Sequence, residues 1–276
     1  MLDLHIDEEL CSQCGLCADV CILDIINLQE GLPQVSDEDL CIGCQQCLAI
    51  CPTGALSIMG NKAENSTPLQ GNLPTPDKMA TLIKGRRSFR NYKPENVNPE
   101  LIRKLLDIVW HAPTGVNSQQ VLATVVDNLE TVQMLRQEIY ERLSEAKKSG
   151  SRSDRPEMRY LGWAVRKWEE ENKDIIFRGA PHFLVSSAPS TSPCPTADSH
   201  IFLSYFELMA QTMGLGTLWN GMLKWSIDTI FPDIRQRLGI PDEHEIGYVI
   251  LFGNPELEYQ RTVERGRAKV NFVNWK

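Results

Sequence analysis

The sequence predicts an α+β protein in two modules, a small one organised by cysteines and a larger one in which helices and strands alternate. Three observations lead there. Eight of the nine cysteines fall in two short runs that end at Cys51. Residues 60–78 are rich in Gly, Asn, Ser, Thr and Pro with few apolar anchors, which reads as a linker. Residues 79–276 then carry helix and strand signals in turn. A chain of 276 residues suffices for one small domain and one of ordinary size, and a 42% hydrophobic content gives the larger one a core.

In the small module, Cys11, Cys14, Cys17 and Cys21 follow the spacing C-x2-C-x2-C-x3-C, and Cys41, Cys44, Cys47 and Cys51 repeat it, with Pro52 after the last. Three cysteines at i, i+3 and i+6 let one tight loop hold three corners of a cube, and a remote fourth thiolate closes the cage. Eight thiolates in this order are the ligand set for two 4Fe–4S clusters. Structural zinc prefers paired C-x2-C units and needs four ligands per ion. A disulfide framework belongs to secreted chains, and no signal peptide is visible. At an offset of 30 residues Asp7-Glu8 matches Asp37-Glu38 and Leu10 matches Leu40, so the module reads as an internal duplication. Ile6, Ile25, Ile26, Val35, Leu56 and Ile58 can supply an apolar shell. The acidic residues of this end (Asp3, Asp7, Glu8, Glu9, Asp37, Glu38, Asp39) read as a solvated face rather than as a docking surface for a basic partner.

The stretch resembles a bacterial two-cluster ferredoxin, which sets the first module at residues 1–59. In this motif type the fourth cysteine of each run ligates the other cluster. One cluster would then use Cys11, Cys14, Cys17 and Cys51, and the other Cys41, Cys44, Cys47 and Cys21. Such clusters as a class suggest an anaerobic setting.

The net charge of −8 argues against nucleic-acid binding. No apolar run is long enough to span a membrane, and a cytoplasmic location is expected. Cys194, in the run SPCP, reads as an ordinary loop thiol.

In the larger module Met79–Lys84 starts a helix that ends near Gly85. Asn98-Pro99-Glu100 is a helix start, a cap residue followed by proline at the first helical position. Leu101, Leu105, Ile108 and Val109 continue at helical spacing and stop before Pro113. Val121–Val126 reads as a strand. Leu129–Lys148 reads as a long helix with Val132, Leu135, Ile139 and Leu143 inward. Residues 149–175 are charged, with Tyr160, Trp163 and Trp168 interleaved. Phe183–Ser187 is a second strand, Thr196–Met213 a buried helix ending at Gly214, Ile227–Leu238 another helix and Ile246–Phe252 a third strand. Residues 262–276 mix charge with Val263, Val270, Phe272, Val273 and Trp275, and such a tail packs against another surface.

Arg86-Arg87-Ser88-Phe89-Arg90-Asn91-Tyr92 places three guanidinium groups and a hydroxyl within five residues, a donor set that matches phosphate oxygens. The loop Ala112–Gln119 is rich in small and amide residues, suited to the pyrimidine edge of an isoalloxazine. Gly214–Gly221 allows close backbone approach, and Arg265-Gly266-Arg267 adds two late cations. These segments, over about residues 79–276 and in this order, resemble the nitroreductase family of FMN-dependent flavoproteins. The resemblance implies a central mixed sheet flanked by helices, and an intertwined homodimer with FMN at the interface. By that likeness Arg86, Arg87, Ser88 and Arg90 hold the phosphate, ribitol and pyrimidine end of FMN, and Arg265 and Arg267 join at the phosphate. Pro113, Thr114 and Gly115, with Asn117 and Gln119 at its amide positions, match a loop that reaches FMN from the second subunit. Asn220 and Gly221 match the backbone beside the hydride-accepting nitrogen. Residues 149–175 would cover the flavin face, with the aromatics either stacking on a flat substrate or packing in the core.

The two resemblances imply a ferredoxin–nitroreductase fusion. An external low-potential donor would load the clusters one electron at a time, FMN would collect two, and a small planar acceptor of nitroaromatic or quinone type would be reduced. Two alternatives stay open: an electron-transfer adaptor without a small-molecule substrate, and electron flow from NAD(P)H through FMN to the clusters. No side chain is assigned as acid or base; His111, just before the loop, is a candidate proton donor that reads more readily as a structural histidine.

Overall fold

The computed structural model describes residues 2–148 and 156–275; the start of the charged segment, residues 149–155, lies outside the described residues. The chain divides into two units, residues 1–75 with 116–118, and residues 76–115 with 119–276.

In the first unit β1 (Leu4–Ile6), α1 (Leu16–Asp19), β2 (Ile26–Gln29), β3 (Leu32–Val35), α2 (Gln46–Ile50) and β4 (Leu56–Ile58) follow in order. β1 pairs antiparallel with β4 and β2 with β3. Ile25, Ile26, Leu48, Leu56 and Ile58 form the core, with Cys47 buried among them. The duplication is visible in the backbone. Gln13, Gly15, Asp24 and Glu30 have positive φ, and so do Gly43, Gln45, Gly54 and Gly60, each 30 residues later. Left-handed residues bend a short chain sharply. Their repetition gives both cysteine runs the same loop path.

The second unit begins with α3 (Pro76–Gly85) and α4 (Pro99–Val109). Asn98 caps α4 through Glu100 N, with Pro99 in the first turn, as the sequence predicts. β5 (Leu122–Val126), α5 (Leu129–Lys148), α6 (Pro156–Glu171), β6 (His182–Pro189) and α7 (Pro195–Thr212) follow. The chain then forms β7 (Gly216–Trp219), α8 (Gly221–Trp225), α9 (Pro232–Arg237) and β8 (His244–Gly253). The sheet order is β5-β6-β8-β7 and all three pairings are antiparallel. The mixed character expected of the sheet rests on one parallel bridge, Ser88 to Thr217, at the β7 edge.

Strand side chains alternate between faces, and here both faces are covered. Phe183, Val185, Val249 and Leu251 pack with residues of α5, α6, α8 and α9, while Leu184, Ile250 and Phe252 pack with residues of α4 and α7. Two-sided burial explains the near-continuous apolar runs of β6 and β8.

Three departures from the expected elements have local causes. β7 falls inside Gly214–Gly221, a segment read only as allowing close backbone approach; its four residues pair with β8, and Thr217 also bridges to Ser88. The helix expected over Ile227–Leu238 is two pieces. A π-turn over Ser226–Ile230 closes with Phe231 N donating to Ser226 O, and α9 restarts at Pro232. Proline has no N–H and cannot continue the preceding turn. The first helix starts at Pro76 rather than Met79.

Candidate functional site

The eight cysteines of the two runs line two cavities. Cys11, Cys14, Cys17 and Cys51 share one with Ile6, Leu16, Leu28, Pro33, Ala55 and Leu56. Cys21, Cys41, Cys44 and Cys47 share the other with Leu2, Leu4, Ile25, Ile26, Val35 and Ile58. Each wall thus holds three thiols of one run and the last thiol of the other. None of the nine cysteines is paired in a disulfide. Among the described residues no three His, Cys, Asp or Glu side chains converge as ligands for a metal ion. The thiols instead surround a space, an arrangement that fits a multi-iron cube better than a single zinc.

The surroundings treat the thiols unequally. Burial pushes the Cys47 thiol up to about 11, so its thiolate needs a cation beside it. Burial also raises Cys51, but hydrogen bonds from the Thr53 side chain and the Thr53, Ala55 and Leu56 backbone outweigh it and leave it below the usual thiol range. Gly43 N donates to Cys41 Sγ at 3.4 Å. Amide donors to sulfur stabilise thiolate charge and tune a cluster's potential.

In the second unit the basic run leaves the C-terminus of α3 and lies along β7. Phe89 N donates to Thr217 O at 2.9 Å. β7 leads directly into Asn220 and Gly221, so the run and that pair share one sheet edge. The C-terminal segment retraces the run in the opposite direction. Lys93 N donates to Asn254 O, Glu256 N to Asn91 O and Val263 N to Lys84 O. The rings of Phe89 and Tyr259 meet edge-on at 5.0 Å. Arg265 and Arg267 therefore follow a segment held against Lys84, which stands two residues before Arg86, and Lys84 itself pairs with Glu264 at 2.6 Å.

Among the described residues Arg87, Arg265 and Arg267 have no ion pair, and Arg90 bonds only the Ser88 carbonyl. Arg86 differs, since its Nη1 donates to Glu207 Oε1 at 3.0 Å. Tyr92, at the end of the run, is buried and donates to Phe89 O.

Asn220 serves the fold with its side chain. Its Oδ1 caps α8 through Leu223 N, and its Nδ2 donates to Ile176 O. Its backbone is committed too, since Asn220 N donates to Val249 O at 2.8 Å and its carbonyl accepts from Lys224 N, so of this pair the N–H of Gly221, at the start of α8, is the group left for a ligand. A Cβ on Gly221 would stand 2.9 Å from the Tyr248 hydroxyl.

Pro113, Thr114, Gly115 and Gln119 belong to a different constellation. Gly115 N donates to Asp198 Oδ1 at 3.0 Å, and Gln119 N donates to Thr114 Oγ1 at 2.9 Å. A Cβ on Gly115 would come within 3.1 Å of Cys194 Sγ, so glycine lets the loop approach the start of α7. Val116, Asn117 and Gln119 all have positive φ, which is costly for a β-branched residue such as Val116. Among the described residues no hydrogen bond or ion pair joins this loop to the basic run.

The structure adds residues that the sequence reading omitted. Asp198 and Glu207 are buried acids on the largely apolar α7; charge on a buried helix was the available signal. Arg178, with φ of 56°, is held below the usual arginine range by burial and then by the neighbouring Arg90 guanidinium. No sequence pattern marks it. The aromatics of the charged segment divide. Trp168 stacks on Tyr140 at 4.5 Å and Trp163 packs on the core, whereas Tyr160 is exposed.

A thiol-walled iron–sulfur unit joined to an α+β unit with an arginine-lined sheet edge defines an oxidoreductase with its own electron-transfer domain. Residues 83–254 match the nitroreductase family, and the chain belongs to that family. Residues 4–27 and 35–57 each match the 4Fe-4S binding domain. Nitroreductase NfnB of Mycolicibacterium smegmatis is 23% identical over 180 residues, covering 58% of this chain and 75% of that protein. Among solved structures, a Bacteroides fragilis nitroreductase with bound FMN covers 71% of this chain and all of its own, with TM-score 0.56 and 20% identity. An FMN-dependent nitroreductase from Clostridium difficile covers 70% and 97%, with TM-score 0.50 and 25% identity. Among the described residues no helix is long and apolar enough to cross a membrane.

Proposed function

We propose that the chain is an iron–sulfur flavoprotein reductase that takes electrons from a low-potential donor and reduces a small planar acceptor of nitroaromatic or quinone type. The observation that carries it is the division of the eight cysteines, four to each of two cavities, in a chain whose other unit belongs to the nitroreductase family. Cys11, Cys14, Cys17 and Cys51 hold one 4Fe–4S cluster, and Cys41, Cys44, Cys47 and Cys21 hold the other. The clusters supply one-electron transfer, and FMN supplies the exchange between one-electron and two-electron chemistry.

Arg86, Arg87, Arg90, Arg265 and Arg267, with Ser88, hold the flavin's phosphate and polar end. Their support is electrostatic: a phosphomonoester carries about −1.5 to −2 charge, and four of these five arginines have no carboxylate partner among the described residues of a chain with net charge −8. The backbone of Asn220 and Gly221 lies against the central ring. Pro113, Thr114, Gly115, Asn117 and Gln119 approach the flavin of a second copy in a homodimer. The exposed tail supports that assembly, since Phe272 and Trp275 are 87% and 94% exposed in the single chain and need a surface to cover them.

Turnover of the anaerobically purified full-length protein tests this. A reduced low-potential ferredoxin together with a nitroaromatic or a quinone gives donor-dependent loss of the acceptor. Full reduction of clusters and flavin with no acceptor consumed would make the protein an electron-transfer adaptor. Flavin bleaching by NADPH ahead of cluster reduction would reverse the direction of flow.

A further inference from the structure

Glu207 is 7% exposed, in the last third of α7, with the apolar Leu203, Phe206 and Ala210 as helix neighbours. A carboxylate in that position is costly unless it is paired and hydrogen-bonded. Two partners meet it. Arg86 Nη1 donates to Oε1 at 3.0 Å, and Thr217 Oγ1 donates to the same oxygen at 3.5 Å. Thr217 is the β7 residue that receives the basic run through its bridge with Ser88. Glu207 thus ties the first arginine of the run to the strand along which the run lies.

Only one Nη of Arg86 is used. Among the described residues its Nε and Nη2 have no hydrogen bond, which leaves a guanidinium edge for an incoming oxyanion. We propose that Glu207 is a positioning residue, which fixes Arg86 so that this free edge meets the phosphate of FMN. The inference rests on the phosphate reading above. One carboxylate does not cancel the site, because Arg87, Arg90, Arg265 and Arg267 remain as four further cations. Its larger effect is to hold in place a side chain that otherwise loses rotamer freedom on binding.

The test is anaerobic titration of flavin-free full-length protein with FMN and with riboflavin, which lacks the phosphate. Glu207→Ala raises the FMN Kd at least fivefold, about 1 kcal/mol, and leaves riboflavin within twofold. Glu207→Gln keeps the acceptor oxygen and restores FMN affinity to within threefold of the parent. Unchanged FMN affinity in Glu207→Ala, equal weakening of FMN and riboflavin, or a fivefold tightening in Glu207→Gln overturns the proposal. Should Glu207→Ala not fold, Glu207→Asp decides. Withdrawing the carboxylate by one methylene weakens FMN selectively, threefold or more, and unchanged affinity overturns the positioning role. Arg86→Ala separates the two layers, because equal FMN affinity in that variant and the parent removes the phosphate reading itself, whatever Glu207 does.

Discussion

His182 shows how one buried side chain sets a pH limit on the fold. It opens β6 fully buried, and its Nε2 accepts a hydrogen bond from Val97 N at 2.8 Å. A proton on Nε2 would remove that acceptor. Burial lowers its pKa from 6.5 to about 4. Between those values the unfolded chain binds the proton and the folded chain does not, so stability rises with pH across the window. The contribution is fully present above about pH 6.5 and is lost progressively as pH falls to about 4, amounting to ~3 kcal/mol. Denaturant melts at pH 4 and pH 7 check this: the drop should shrink in His182→Gln, and an equal drop in both proteins would assign the acid sensitivity elsewhere. The cysteines and arginines were legible in the sequence because their chemistry lies in residue type and spacing. Glu207, Asp198 and Arg178 were not, because each acts through a partner distant along the chain.

At the scale of elements, helices were read better than edges. α4 carries a cap and a proline start, α5 apolar spacing within a single window and α7 a largely apolar stretch closed by Gly214, and their expected bounds differ from the observed ones by a few residues. β7 offers no such window. It is four residues long and is specified by β8, 28 residues downstream of its start. Register with a distant strand leaves no local trace. The π-turn before Pro232 had a local marker, the proline itself, which apolar spacing over Ile227–Leu238 concealed. β7 is also where the basic run is held, through Phe89 and Thr217. A Cβ on Gly216 would stand 2.7 Å from the Phe89 ring. Gly216→Val should therefore displace Phe89, lower stability by roughly 1–3 kcal/mol as overpacking does, and weaken flavin retention with it. A melt and a flavin titration on the same sample check the pair, and lost stability with undiminished flavin binding would separate the run from the site.

For the whole molecule, the larger unit supplies a reductase scaffold and the smaller one a place for single electrons. Each cavity draws thiols from both cysteine runs, and a fourth ligand supplied across the repeat would tie the two halves together. Cys51→Ala and Cys11→Ala should erase the same cluster signal in low-temperature electron paramagnetic resonance, and Cys44→Ala the other. Loss of the Cys44 signal in Cys51→Ala, with the Cys11 signal intact, would instead mean that each run closes on itself. The order of segments was legible from one end of the chain to the other. The proposed approach of the loop at 113–119 to a second copy is not a property that one chain's periodicity encodes; its support is the exposed aromatic tail and the likeness to the family.

The most direct test of iron–sulfur cubes joined to an arginine-held flavin is the composition of the full-length protein purified without oxygen. Iron, acid-labile sulfide and extractable FMN should come out at about eight, eight and one per chain, as two 4Fe–4S clusters and one flavin require. Zinc in place of iron and sulfide, or a preparation that reaches full metal content yet releases no FMN and takes none up, would contradict the account.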